Sequence, residues 1–248
     1  MNACCRKQAA GFLLATCLVL PAAAGSLANF EASANSGGGG NGDCIGDPLL
    51  WDLGAELAFY GLAYGGMGSW TRMDSLAADD LDFPGLEPRE WGEGLIPAAR
   101  ADGDYQWLEG DIHAARFDLE AGFGPFAGRY ARTRFEDDRY DEELTLTRFH
   151  ALYRMSFGGG VEVDLGLGRL ILEGEGRDER FSYTVPVRLH LLPGCGVEFR
   201  PEWSENISEY SLGLLAGWKF VSLTAGYRWL HSPDETLDGP YAGLSLHF

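Results

Sequence analysis

His231 and Ser232 stand side by side, with Asp234 and Glu235 just beyond them. An imidazole, a hydroxyl and a carboxylate are the parts of nucleophilic catalysis, in which a base takes the serine proton and an acid orients the base. On an extended strand, adjacent side chains point to opposite faces, so this pair does not converge there. Asp111 and His113 are spaced by two and do share a strand face, but no second acid pair accompanies them. Asp137, Asp138, Asp141 and Glu142 offer hard oxygen ligands for loosely held Ca²⁺ or Mg²⁺, without the spacing of a dedicated calcium loop. No dedicated metal site and no cofactor is expected.

A larger set of charges is placed by a regular pattern. Asp52, Glu56, Arg116, Asp118, Glu120, Arg148, His150, Arg154, Glu162, Asp164, Arg188, His190, Glu198, Arg200 and Arg228 alternate with apolar or small neighbours at a period of two. The clearest stretch runs from Phe181 to Leu191, where odd positions are apolar and even ones are Ser, Thr, Pro, Arg and His. Val161, Val163, Leu165 and Leu167 repeat the pattern against Glu162, Asp164, Gly166 and Gly168, and Val221 to Trp229 repeat it again. A period of two is a strand with one apolar and one polar face.

Ten strands are placed approximately at 51–64, 105–122, 126–135, 144–157, 161–173, 181–192, 196–203, 208–218, 220–231 and 240–248. Strand three lacks a clean apolar face, and Pro186 interrupts strand six, which marks a bulge or an open edge. A soluble β-sandwich alternates in the same way. The connections separate the two folds. Every second one is short and almost uncharged: 122–125, 158–160, 192–196 and 218–219. The others are longer and acidic: 136–143, 173–180, 202–209, 232–239 and a long segment at 65–104. Alternating tight turns and extended loops are a property of transmembrane barrels. Aromatics fall on two levels, with Trp51, Phe123, Phe157, Trp218, Phe220 and Phe248 at one end and Trp107, Phe181, Tyr183, Trp203 and Trp229 at the other, as interfacial girdles do.

Residues 1–24 read as a secretory signal, with Arg6 and Lys7 before an apolar run from Ala9 to Leu20 and a small-residue exit at Ala22 to Ala24. That run of about a dozen residues is too short to span a ~30 Å hydrocarbon core. Residues 25–48 form a Gly-rich leader, expected to be flexible and periplasmic, and 49–248 form the barrel. Losing Arg6 and Lys7 makes the formal charge of −18 more negative still, which excludes nucleic acid as a partner because phosphate binding needs a basic face. Cys4, Cys5 and Cys17 leave with the signal. Cys44 and Cys195 remain, both on the turn side of the expected topology, where an oxidising compartment lets a disulfide persist.

The chain ends Gly239-Pro-Tyr-Ala-Gly-Leu-Ser-Leu-His-Phe248, with Ala242, Leu244, Leu246 and Phe248 on one face, after a penultimate strand containing Gly226-Tyr227-Arg228-Trp229. This resembles the last strands of small bacterial outer-membrane β-barrels, the group that includes the OmpA-type membrane domain. The resemblance spans roughly residues 50–248. It implies a closed, all-β, antiparallel up-and-down barrel of about ten strands, with eight as the alternative. It further implies an outer-membrane location, export by the Sec translocon, and a terminal Phe248 read by the barrel-assembly machinery. Outer-membrane lipids and lipopolysaccharide are the expected partners. A fold shared by pores, adhesins and enzymes does not select among them.

Charges on the lipid face cost ~2 to 4 kcal/mol each near mid-membrane, so they are expected in the lumen, where neighbouring opposite charges pair. The expected function is a non-enzymatic structural or narrow-pore barrel with an ion-paired lumen and both termini periplasmic. Mixed signs argue against strong ion selectivity. The alternatives are a surface enzyme, lipid A deacylase-like at His231, Ser232 and Asp234 or surface-protease-like at Asp111 and His113, and a soluble periplasmic β-sandwich binding protein. The deacylases separate their His and Ser by one residue, which this chain does not.

Overall fold

The structure is a computed structural model and describes residues 27–35, 59–69, 98–109, 111–157, 160–192, 194–218 and 220–247. Within these, helix α1 (Leu27–Asn35) and a second helix α2 (59–69) precede eleven strands: β1 (Ala98–Trp107), β2 (Ile112–Phe123), β3 (Phe126–Asp137), β4 (Glu142–Phe157), β5 (Val161–Glu173), β6 (Arg177–Thr184), β7 (Val187–Leu192), β8 (Cys195–Ser204), β9 (Ser208–Trp218), β10 (Val221–His231) and β11 (Thr236–His247). Each strand pairs antiparallel with its neighbours, and β1 pairs with β11 from Arg100↔His247 to Gln106↔Tyr241, so the sheet closes.

β6 and β7 are two pieces of one stave, which makes the barrel ten-staved. Both pair with β5 and with β8, and the break between them falls at Val185-Pro186. Proline has no N–H for the ladder. The sheet holds across the gap because the Pro186 carbonyl accepts from the Asp164 N–H at 2.9 Å and the Val185 N–H donates to the Pro201 carbonyl at 3.2 Å.

Several expectations differ from the structure. Residues 59–64 of the strand expected at 51–64 are helical, part of α2, and the first described stave is β1; residues 51–58 lie outside the described residues. A stretch rich in Ala, Leu, Tyr and Gly satisfies both a two-residue and a 3.6-residue pattern, whereas β1 shows little apolar contrast because its outward positions begin with Ala99, Ala101 and Gly103. The segment 65–104 is accordingly not one loop, since α2 and β1 occupy its two ends. The loop-end connections are also only three or four residues long, because the strands run on into the acidic stretches. What distinguishes the two ends is charge.

The leader differs from expectation as well, because residues 27–35 are helical and packed. Leu27, Phe30 and Ala34 share one face of α1 and are buried among inward side chains at the loop end of the barrel, including Ile112, Phe135, Leu144, Leu172, Leu230 and Leu237. Residues 27–35 therefore lie at the end opposite His247, not beside it. The α1 carboxylate Glu31 accepts from the Glu175 N–H at 2.9 Å and the Gly176 N–H at 3.1 Å. Ser33 Oγ accepts from the Asp234 N–H at 2.8 Å, and Asn35 Oδ1 accepts from Arg180 at 2.8 Å.

Candidate functional site

Strand parity decides which side chains enter the barrel. On β2, β4 and β5 the even-numbered residues point inward and are buried, while odd-numbered Phe117, Leu119, Phe149 and Leu167 stay exposed. The exposed apolar wall continues through Leu189, Phe199, Leu212, Leu214, Leu223, Leu244 and Leu246, and is interrupted on β3, where Arg132 and Arg134 are exposed on the outward side. An apolar belt of this extent is far larger than the patches soluble proteins expose, and it encloses a polar interior. Exposed Phe123, Phe126, Phe157 and Phe220 mark the turn end, and Trp107, Phe181 and Tyr183 the other. The ring contacts Tyr183–Trp203 at 5.1 Å and Tyr227–Trp229 at 4.8 Å extend the second level around the barrel.

Inside, charge is almost balanced and densely cross-linked. Glu209 on β9 accepts from Arg116 at 2.5 Å and from Arg148, with Arg228 Nε at 3.5 Å. Arg148 also pairs with Glu202 at 2.5 Å and donates to Thr133 Oγ1 at 3.3 Å. Asp118 accepts from Arg129 at 2.6 Å, from Arg200 at 2.9 Å and from Arg116 at 3.3 Å. Lower in the barrel, Glu198 gathers Arg188 at 2.8 Å, Arg200 at 2.9 Å and Arg100 at 3.3 Å. Glu120 holds Arg154 at 2.5 Å, and Glu162 lies 3.6 Å from both Arg188 and His190. Arg228 donates to Asp104 at 3.0 Å and lies 4.6 Å over the Tyr241 ring. His150 meets Ser182 Oγ at 2.9 Å, and Asp164 is buried on the same lumen face.

The structure thus brings together Arg116, Asp118, Glu120, Arg148, His150, Arg154, Glu162, Asp164, Arg188, His190, Glu198, Arg200 and Arg228. Asp52, Glu56, Cys44 and Phe248 lie outside the described residues, so the Cys44–Cys195 pairing and the terminal aromatic do too; Cys195 is exposed. Sequence reasoning missed Arg100, Asp102 and Asp104 because β1 was unread, and Arg129 because β3 lacked contrast. It also omitted Glu209, placed in the connection at 202–209, and Glu202, which continues the alternation of Glu198 and Arg200 on the strand at 196–203 but was not counted with the lumen charges.

A cavity between β1, β8, β9, β10 and β11, lined by Arg100, Asp104, Glu198, Arg200, Arg228 and Tyr241 among others, measures about 20 Å³, room for about one water. Above it the apolar layer and α1 fill the loop end.

The residues suited to catalysis are not assembled. His231 Nδ1 meets Thr236 Oγ1 at 2.8 Å, while Ser232 Oγ lies within hydrogen-bond distance of both Ser33 Oγ, at 3.0 Å, and the Glu235 carbonyl, at 3.1 Å. The Asp234 carboxylate is 3.5 Å from Ser33 Oγ. His113 faces Glu136 at 3.0 Å and stacks on Tyr105, while Asp111 takes Arg139 at 3.0 Å. Of the loop-end acids, Asp137 accepts from the Arg139 N–H at 2.9 Å and Glu142 accepts from the Ala28 N–H at 3.0 Å. Asp138 lies 3.8 Å from His113, and Asp141 adopts a left-handed φ of 55° in the turn. Among the described residues no group of three or more His, Cys, Asp or Glu is placed to hold a metal ion.

An ion-paired interior inside an apolar wall defines the class: the chain is a closed antiparallel β-barrel of ten staves with the inside-out polarity that transmembrane barrels have. No family model matches it and no curated protein matches it. Among solved structures it is similar to the N-terminal β-barrel domain of Pseudomonas aeruginosa OprF, at 9% identity and a TM-score of 0.35 over 62% of this chain and 98% of that one. It is also similar to Ail, the attachment invasion locus protein of Yersinia pestis, at 12% identity and a TM-score of 0.32 over 62% of this chain and 100% of that one.

Proposed function

We propose that the protein is a non-enzymatic structural barrel of the bacterial outer membrane, closed to solutes by its own ion pairs, with the acidic loop end facing outward. The observation that carries this reading is the lumen network, which ties opposite sides of the ring together and reduces the cavity beside it to about 20 Å³. Buried charges without partners are costly, so a network in which charges such as Asp118, Glu198 and Glu209 each serve three arginines holds one arrangement in place. The seating of α1 in the loop-end mouth supports the same reading.

Export by way of a signal at 1–24, assembly through Phe248, and contact with lipopolysaccharide through divalent cations at Asp138 and Asp141 complete the proposal. The acidity of the loop end and the near absence of charge in the turns support the orientation. The narrow-pore alternative would need the network to open. Membrane fractionation, heated and unheated gels, and labelling of Glu205→Cys on intact cells by an impermeant maleimide test location and orientation, in a Cys44→Ser/Cys195→Ser background. Outer-membrane enrichment, a heat-dependent mobility shift and surface labelling are expected. A soluble protein without that shift would end the barrel proposal, and a Glu205→Cys variant that stays unlabelled while enriched in outer membranes would end the orientation alone.

A further inference from the structure

Helix α2 carries its polarity the wrong way round for a helix in water. Its sequence, Phe59-Tyr-Gly-Leu-Ala-Tyr-Gly-Gly-Met-Gly-Ser69, contains no charged residue. Gly65, Gly66 and Ser69 are buried, whereas Phe59, Tyr60, Tyr64 and Met67 are 68%, 55%, 65% and 61% exposed. The exposed set recurs at helical spacing, so one face is small and packed and the other is large, apolar and bare. The rings of that face run together, Phe59 to Tyr60 at 6.0 Å and Tyr60 to Tyr64 at 6.3 Å.

The packed face fixes where the helix lies. Its neighbours are Tyr153, Met155 and Phe157, the outward residues at the turn end of β4. Met155 is 5% exposed although it belongs to the outer wall, where Leu167 and Leu214 remain 61% and 63% exposed, because α2 covers it. The approach is close enough to demand glycine: a Cβ at Gly65 would come within 2.5 Å of Met155 Cβ, and one at Gly68 within 2.3 Å of the Ser156 carbonyl oxygen. Tyr153 donates to the Leu62 carbonyl at 3.2 Å, and Ser69 Oγ donates to the Arg154 carbonyl at 3.2 Å. The helix is thus held against the outside of the barrel at the level of Phe157, the depth that Phe123, Phe126 and Phe220 of the turn-end girdle share.

We infer that α2 is an interfacial helix whose exposed face of Phe59, Tyr60, Tyr64 and Met67 rests in the headgroup and acyl boundary of the turn-end leaflet. The partner is the lipid surface itself. Continuity with the girdle selects it: aromatic rings with one wet and one apolar end are favoured at this depth, and a helix bearing them lies in the membrane plane. The inference rests on the barrel spanning a membrane, whichever end faces outward.

The test uses nitroxide labels at Tyr60→Cys, Tyr64→Cys and Met67→Cys, each in the Cys44→Ser/Cys195→Ser background. The full-length mature protein is placed in vesicles of phosphatidylethanolamine and phosphatidylglycerol. Accessibility to oxygen is compared with accessibility to a water-soluble nickel chelate. All three positions are expected to favour oxygen severalfold, approaching a Leu223→Cys label on the wall. Nickel access at all three with oxygen preference kept at Leu223 would overturn the inference and leave the face to a water-borne partner. Loss of oxygen preference at Leu223 would instead show that the barrel itself is not in the bilayer. A Gly66→Leu variant that keeps the heat-dependent mobility shift is expected to uncover a Met155→Cys label; a Met155 label unchanged by it would overturn the docking.

Discussion

Asp118 on β2 accepts a hydrogen bond from Arg200 on β8 at 2.9 Å, and these two strands stand five staves apart in a ring of ten. The pair therefore bridges the barrel across its full width. Asp118 also holds Arg129 and Arg116, so its loss leaves three guanidinium groups facing one another. Removing one partner of a buried pair costs about 3 to 5 kcal/mol, whereas removing both costs less than the two single losses together. Asp118→Ala is expected to lower the temperature at which the folded gel band disappears, and Asp118→Ala/Arg200→Ala to lose less than the sum. Variants that all melt with the wild type would reduce the network to filler.

The seating of α1 has a direct chemical test. Ser33 and Ser232 approach at 3.0 Å between hydroxyl oxygens. In the background lacking Cys44 and Cys195, Ser33→Cys/Ser232→Cys is expected to close an intramolecular disulfide under mild oxidation, seen as a mobility shift reversed by reductant. Phe30 is fully buried in the same mouth, and Phe30→Asp should abolish the cross-link by placing a charge among Leu144, Leu172 and Leu230. Failure of the first pair to cross-link would show that α1 lies elsewhere.

The hydrogen bonds of His231 and Ser232 are structural, one to Thr236 and the other to α1. Cells carrying His231→Ala or Ser232→Ala are accordingly expected to keep the same lipid A acylation pattern by mass spectrometry as cells carrying the unaltered protein. A changed pattern with His231→Ala would reopen the deacylase reading.

Where residue types contrast, the sequence is transparent. Val187, Leu189 and Leu191 against Arg188 and His190 give both the strand and its inward face, and the same holds for Glu162 and Asp164 among valines and leucines. β1 has little of that contrast: Arg100, Asp102, Asp104 and Gln106 face inward, but the outward side begins with Ala99, Ala101 and Gly103 and turns aromatic only at Tyr105 and Trp107. The opposite failure hid α2, whose large residues fit a strand face as well as a helix face until its glycines are seen pressed on β4. Glu209 looks like a loop acid because charge is a poor guide to a strand whose inward side is itself charged.

Single-channel recording of the purified, heat-modifiable protein in planar bilayers tests most directly whether this barrel is closed to solutes. The wild type is expected to give no discrete conductance steps, because the Asp118–Arg200 bridge and its neighbours leave space for about one water in the cavity beside them. Reproducible steps from the wild-type protein, growing with salt concentration, would contradict the account.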